Sequence, residues 1–266
     1  VGGFNWDAKF GTTVISFTQD LQNNMYVAKY HSDGVMEWVK IVEKAGSNSE
    51  LGVCSDRDGN IFITGRYEAP TRFGTTTLYD GNIFLVKFTP DGSIHWVNNI
   101  GGDIFGDGRA VAADDDGNII VTGSFTEKMI FGTLRFYSNG NEDIFLAKYR
   151  STGSLDWATR AGGSGRDKAN SIALDGLGGI YIVGEFQTEA GFDDQTINNT
   201  GGAGGFNDVF LAKYFPNGKV EYVKQAGGVG ADFCPSIASD RLGNIAMTGT
   251  FEYKATFDTT TLSADT

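Results

Sequence analysis

Histidine is nearly missing from this chain: 266 residues contain only His31 and His95. His31 falls in a turn, and His95 takes a repeat position held elsewhere by Glu37, Asp156 and Glu221. Neither stands beside a candidate nucleophile, so the sequence speaks against an acyl-transfer triad. Cysteine is equally scarce. Cys54 and Cys234 occupy different repeat positions, which argues against a repeated metal or disulfide framework and leaves two buried thiols packing as small apolar groups. Positive charge is in deficit: 21 Lys and Arg face 33 Asp and Glu, a net charge of −12. That balance disfavours nucleic acid and anionic membrane surfaces and leaves cations, neutral glycans or proteins as partners. No apolar run approaches the roughly 20 residues that span a bilayer, so membrane insertion is not expected. The opening "VGGFNWDAKF" lacks an initiator Met and the basic and apolar regions of a signal peptide. The chain is therefore expected to begin after a processed, truncated or disordered segment. Proline is rare as well, 4 residues against 38 glycines, as many tight turns between short strands require.

What is present is a repeat. "NNMYVAKY", "GNIFLVKF", "EDIFLAKY" and "NDVFLAKY" place lysines at 29, 87, 148 and 213, spaced by 58, 61 and 65 residues. Nine residues after each lysine stands an aromatic: Trp38, Trp96, Trp157 and Tyr222. Twenty-seven residues later comes a glycine (Gly65, Gly123, Gly184, Gly249), and eight after that a phenylalanine (Phe73, Phe131, Phe192, Phe257). Gly2 and Phe10 belong to the same series. All variation in length, 19, 14, 17 and 21 residues, lies between the phenylalanine and the next lysine. Fixed intervals imply strands in set register; the variable one implies a surface loop.

Each unit reads as four strands. "NSIALD" (170–175) leads through "GLGG" into "IYIVGEF" (180–186), a hairpin with a glycine turn. The variable loop follows, then a "DVFLAKY" strand, a short turn and a strand carrying the Trp or Tyr. Ile180, Tyr181, Ile182 and Val183 are all apolar, so both faces of that strand should be covered. Four-stranded units buried on both faces fit blades stacked around an axis, an all-β β-propeller of antiparallel blades with about 60 residues each. The expected divisions are a partial blade at 1–45, blades at about 46–105, 106–165 and 166–231, and a partial blade at 232–266. Three full and two partial blades imply that more of the same polypeptide, or another chain, completes the propeller.

These motifs resemble the SBBP-type β-propeller repeat of secreted bacterial proteins, whose pattern is carried here by Asp143–Tyr149, Gly153–Trp157, Gly162–Asp167 and Ile172–Phe186. The resemblance covers essentially the whole chain. It implies a propeller on an exported or cell-surface protein, and it identifies a fold more than an activity.

The candidate chemistry lies mostly on one face. In blades of this order the Gly-Gly connections (101–107, 162–167, 227–232) share a face with the variable loops. Asp107, Asp167 and Asp232 are the candidate acidic rim around the central channel, with Asp107 displaced by one position and "EKAGSNSELG" lacking the aspartate altogether. "GGSGRD" has the spacing of a calcium-binding repeat, but it recurs about every 60 residues rather than every nine. The adopted reading is a glycine turn with a capping Asp and no cofactor, with calcium kept as the alternative. "DRDGN" (56–60) and "DDDGN" (114–118) lack the Glu at position twelve of a calcium loop and read as hairpin turns. The lysines and the strand-end Asp56, Asp114, Asp175 and Asp240 recur once per blade, which suggests a network between blades rather than catalysis. Trp6, Phe105 and Phe206 lie in loops and are candidate ligand-binding aromatics. The resulting expectation is a non-catalytic binding or scaffold propeller that recognises a protein or glycan on the variable-loop face. A polysaccharide-acting enzyme using acidic residues there, or a spacer in a larger surface protein, are the alternatives.

Overall fold

Every fixed interval of the repeat is a strand-pairing constraint. The computed structural model describes residues 1–4, 7–15, 24–42, 51–102, 105–201 and 205–264, and no helix occurs among them. Blade 3 consists of Gly106–Ala113, Ile119–Phe125, Asp143–Tyr149 and Leu155–Ala161, antiparallel and adjacent in chain order. Blade 2 repeats this with Gly52–Ser55, Ile61–Arg66, Ile83–Phe88 and Ile94–Gly102, and blade 4 with Lys168–Leu174, Ile180–Phe186, Asp208–Tyr214 and Val220–Gly227. Blade 1 contributes Gly2–Phe4, Asn24–Tyr30 and Met36–Val42; blade 5 contributes Phe233–Ser239 and Ile245–Thr250.

The nine-residue interval sets each lysine directly opposite its aromatic: Lys29 pairs with Trp38, Lys87 with Trp96, Lys148 with Trp157 and Lys213 with Tyr222, each followed by a bulge. Gly65, Gly123 and Gly184 stand opposite Phe84, Phe145 and Phe210 of the third strands. The phenylalanines eight residues on, Phe73, Phe131 and Phe192, lie against those same rings, with centroids 4.9, 5.8 and 5.1 Å apart. One aromatic pair per blade thus fixes two of the spacings, and its tilted geometry is the favourable one for such rings.

The third strands are covered on both faces, as their unbroken apolar runs predict. Ile144 and Leu146 join Ile180, Ile182 and Phe210 in the core between blades 3 and 4. Their neighbours Phe145 and Ala147 point the other way, to Phe62, Ile83 and Leu85 of blade 2. Alternation along a strand therefore sends successive side chains into different inter-blade cores.

The variable interval differs from expectation: it opens with a hairpin rather than a plain loop. Thr71–Phe73 pairs with Thr76–Leu78, Lys128–Phe131 with Leu134–Tyr137, Glu189–Phe192 with Gln195–Asn198, and Lys254–Phe257 with Thr260–Ser263. The last three also pair with the preceding blade at the end of its fourth strand, through Met129 and Ile130 to Gly102 and Gly101, Gly191 to Gly162 just past that strand, and Thr256 and Phe257 to Gly227 and Ala226. The hairpin gives that outer strand a hydrogen-bonding neighbour and covers its exposed edge. Length variation is left to segments 79–82, 138–142 and 199–207.

A second link between blades runs through the repeating tryptophan. The Nε1–H of Trp38, Trp96 and Trp157 donates to the carbonyl of Pro90, Ser151 and Pro216 in the next blade, at 3.0, 3.2 and 3.0 Å. Each indole lies on a turn glycine of that blade, Gly92, Gly153 or Gly218, where φ is +80°, +88° and +82° and a Cβ would meet the ring at 3.0 Å or less. Trp157→Phe keeps a ring on the turn and removes the donor; it should cost about 1 kcal/mol in urea unfolding. An unchanged midpoint would show that the indole bond adds nothing.

Candidate functional site

Two kinds of turn punctuate each blade, at opposite ends. At one end, Asp56, Asp114, Asp175 and Asp240 cap the first hairpin: each Oδ1 accepts from backbone N–H groups two and four residues on, at 2.7–3.1 Å. The sequences resembling calcium loops are thus turn caps whose carboxylates are occupied by backbone donors. The recurring lysines were expected to bridge blades, but Lys148 Nζ meets Asp114 Oδ2 at 2.8 Å within one blade, and Lys213 meets Glu221 at 3.0 Å within another. Burial raises Asp114, and the hydrogen bonds from Lys148 and Asn118 more than offset it, holding the carboxyl below its usual range. Lys29 does both, pairing with Glu37 at 2.9 Å and donating to Pro90 O of the next blade at 2.9 Å.

At this end a cavity of about 560 Å³ opens between the inner turns of blades 2 to 5, with Arg57, Asp116, Lys148, Asp175 and Arg241 on its wall. Further along the axis, a space of about 460 Å³ is lined by Leu51, Arg109, Asn170, Glu185 and Pro235 from the same four blades. A polar chain crosses it: Arg109 Nη1 donates to Asn170 Oδ1 (3.3 Å), and Asn170 Nδ2 donates to Glu185 Oε1 (2.8 Å) and to Cys234 O (3.2 Å). Burial pushes Glu185 upward against the hydrogen bond from Asn170.

The Gly-Gly connections occupy the opposite end, and here the expected acidic rim is not a rim. Asp167 is 0 % exposed and Asp232 2 %, both sealed between blades. Asp167 Oδ2 accepts from Gly163 N at 2.7 Å and Oδ1 from Gln187 N at 3.2 Å, the capping role read from the sequence. Its repeat equivalent Asp232 accepts from Gly228 N at 3.0 Å. Asp107 stands apart. Pairing opposite Ser124 gives it the phase of Lys168, which pairs opposite Glu185, and its Oδ2 lies 3.6 Å from Arg109 Nη2. Gly106 holds the position of Asp167 in that blade.

Each capping aspartate faces a second carboxyl that the sequence reading passed over. Asp143, the first residue of the third strand in blade 3, is 0 % exposed; Asp208 in blade 4 is the same. A Cβ on Gly162 would lie 2.9 Å from Asp143 Oδ1 and 3.0 Å from Asp167 Oδ2, so the two acids converge on that glycine. Gly227 is likewise crowded by Asp208, at 2.4 Å. A signal for these partners exists in the repeat itself: Asp143 and Asp208 accompany Asp167 and Asp232, whereas Asn82 accompanies Gly106. Burial, with Asp143 and Glu142 adding repulsion, pushes Asp167 up to about 8. Burial with Asp208 and Glu252 raises Asp232 to about 6.

Calcium would need six to eight oxygens, whereas the carboxyls acting on the capping aspartates are Asp143 and Glu142 at Asp167 and Asp208 and Glu252 at Asp232. Among the described residues, no three His, Cys, Asp or Glu side chains converge as a metal site. Of the candidate aromatics, Phe105 lies under Arg66, whose guanidinium carbon is 4.5 Å from the ring centre. Phe206 is 45 % exposed beside the longest variable segment. Trp6 lies outside the described residues. His31 sits 3.9 Å from Glu37, and His95 is exposed on the outer strand of blade 2.

Residues 156–185 match SBBP, the Beta-propeller repeat, and residues 115–156 match the DUF5122 beta-propeller, a domain of unknown function. The chain is 25 % identical over 240 residues to an uncharacterized WD repeat-containing protein, L264, of Acanthamoeba polyphaga mimivirus, covering 75 % of this chain. It is 24 % identical over 165 residues to the regulatory protein FlaEY of Caulobacter vibrioides, covering 60 % of this chain. It spans 17 % of the length of each of these relatives. Repeat spacing, sheet order and these matches agree: the chain is an all-β β-propeller.

Proposed function

We propose that this propeller is a non-catalytic binding scaffold of an exported or cell-surface bacterial protein, recognising a protein or a glycan through the face that carries the Gly-Gly connections and variable segments. The observation that carries the reading is where freedom remains. Strand register, ring pairs, hairpins and indole contacts hold the rest of each repeat to fixed spacing, while 79–82, 138–142 and 199–207 change in length at one end of the blades. A rigid frame that varies in one set of surface segments is how binding sites are commonly placed. The longest segment also presents Phe206, an exposed ring of the type that anchors sugars or partner side chains.

The enzyme alternative requires two carboxyl groups flanking a cleft that admits a glycosidic bond. The carboxyl pairs buried beside the Gly-Gly connections, Asp143 with Asp167 and Asp208 with Asp232, are all at most 2 % exposed, so neither of these two pairs meets that requirement.

The test is an array of bacterial and host glycans and surface proteins probed with two variants. In one, 199–207 is replaced by the shorter segment 138–142. In the other, Leu177 and Leu242, both 83 % exposed on the opposite face, become serine. Binding should be lost in the first and kept in the second. The reverse pattern would move recognition to the other end of the channel.

A further inference from the structure

Two blade junctions bury a pair of carboxyl groups, Asp143 with Asp167 around Gly162 and Asp208 with Asp232 beside Gly227, and the junction between blades 2 and 3 does not. There Asn82 and Gly106 stand where Asp143 and Asp167 stand one blade later, and the Asn82 carbonyl accepts from Phe105 N and Gly106 N at 3.3 and 3.2 Å. The same architecture thus closes with neutral groups at one junction and with two acids at the next.

We infer that the junctions between blades 3 and 4 and between blades 4 and 5 are each closed by a proton, held by the pairs Asp143–Asp167 and Asp208–Asp232, so that these blade contacts strengthen in acid and loosen as the proton is withdrawn.

The geometry leaves oxygens for that proton, one in the first pair and two in the second, where Asp232 Oδ1 is without a partner as well. Asp143 Oδ2 is satisfied by Asn139 N at 3.1 Å and Arg160 Nη1 at 3.0 Å, but its Oδ1, turned towards Gly162 and Asp167, has no hydrogen-bond partner. Asp208 Oδ2 accepts from Thr200 N and Oγ1, both at 2.7 Å, and its Oδ1, turned towards Gly227, also has none. An orphan carboxylate oxygen with no exposure is costly, and two ionised carboxylates so placed are more so. One proton per pair supplies the missing donor and removes one charge.

Other charges around the pairs do not substitute for it. At the first pair, Glu142 takes Arg166 (2.8 Å) and Lys168 (3.4 Å), leaving only Arg160 on Asp143. Glu189 on the hairpin of blade 4 brings further negative charge to the same connection, while Glu185 on the second strand is bonded to Asn170. At the second pair, Glu252 accepts from Ala231 N at 3.2 Å, and among the described residues no lysine or arginine pairs with Asp208 or Asp232.

The sign follows from the direction of the shifts. Asp167 and Asp232 sit above the ordinary value of 3.8, so their contribution is complete below that value and is lost as pH rises through about 6 for Asp232 and about 8 for Asp167. Asp143 and Asp208 are also raised, chiefly by burial, and act in the same sense.

The experiment compares the intact chain with Asp167→Asn/Asp232→Asn in chemical unfolding from pH 4.5 to 8.5. The native folding equilibrium should weaken roughly tenfold per pH unit for each junction still holding its proton, and the double variant should be nearly flat. Infrared spectra at pH 7 should show a protonated-carboxyl band in the native chain that Asp167→Asn lacks. If the double variant does not fold, Asp143→Asn, which puts at 143 the amide that Asn82 supplies one blade earlier, takes its place. A native chain with no such band, or an unchanged pH slope in the variants, would overturn the proposal. So would calcium chloride that stabilises the native chain at pH 8 and leaves the variant unmoved, since a cation would then be the occupant.

Discussion

Phe145→Ala should cost about 3–5 kcal/mol of stability, as a fully enclosed aromatic ring does when a cavity replaces it. Phe145 has no exposure, and its ring serves two structures at once. Within its own repeat it meets Phe131 at 5.8 Å and fills the space that Gly123 leaves open, where a Cβ would lie 3.0 Å from the ring. Across the blade boundary it packs with Phe62, Ile83 and Leu85. Neither side can close over the void, because each is fixed by its own strand register. Urea unfolding of Phe145→Ala beside Tyr137→Ala measures the difference, since Tyr137 lies on the nearby hairpin but is 61 % exposed. Tyr137→Ala should stay within about 0.5 kcal/mol of the native chain. Equal losses in the two variants would mean that the ring pair is not the keystone of the repeat.

Gly123→Ala should be nearly as damaging, about 3 kcal/mol or more, although it adds a single methyl group. That methyl would sit 1.8 Å from the carbonyl oxygen of Asp107, a backbone atom held by a bulge between Gly108 and Ala110. Gly184 meets Lys168 O at the same 1.8 Å beside the corresponding bulge. Something must shift, and what must shift is a strand. Gly132→Ala makes the contrast, because its φ is +59° and open space surrounds it. Its cost comes from conformation alone, about 1–2 kcal/mol. Should Gly132→Ala prove the more harmful of the two in denaturant melts, close approach would not be the reason for the repeating glycine.

Those two residues also show how far the sequence could be read. The intervals that place Gly123, Phe131, Phe145 and Trp157 are plain in the letters, and they were enough to divide the chain into four-stranded blades. The reasons for them are not written there. That the glycine yields to a carbonyl, that two phenylalanines meet, and that the tryptophan leaves its own blade to rest on Gly218 are facts about register and bulges. The hairpins were harder to see. Their strands are three or four residues long and sit at the start of the one interval whose length changes, so periodicity dissolves where they pair. Asp167 and Asp232 were found by motif and expected at an open rim. Their burial depends on Asp143 and Asp208, which lie 24 residues earlier in each case and were read only as the first letters of a strand. Reading the repeat for paired changes, with Asn82 and Gly106 as the exception, would have joined them.

The pairing of three of the hairpins with the blade before them has a consequence for how such a molecule changes size. A stretch from one variable segment to the next, such as 143–207, holds the outer half of one blade and the inner half of its neighbour. Excising it joins the second strand of blade 3 to the third strand of blade 4, two strands already matched in register and ring placement. A whole blade is thereby gained or lost by one recombination within a solvent-facing segment, with every remaining sheet restored. The seam that holds neighbours together is also what makes the blades interchangeable.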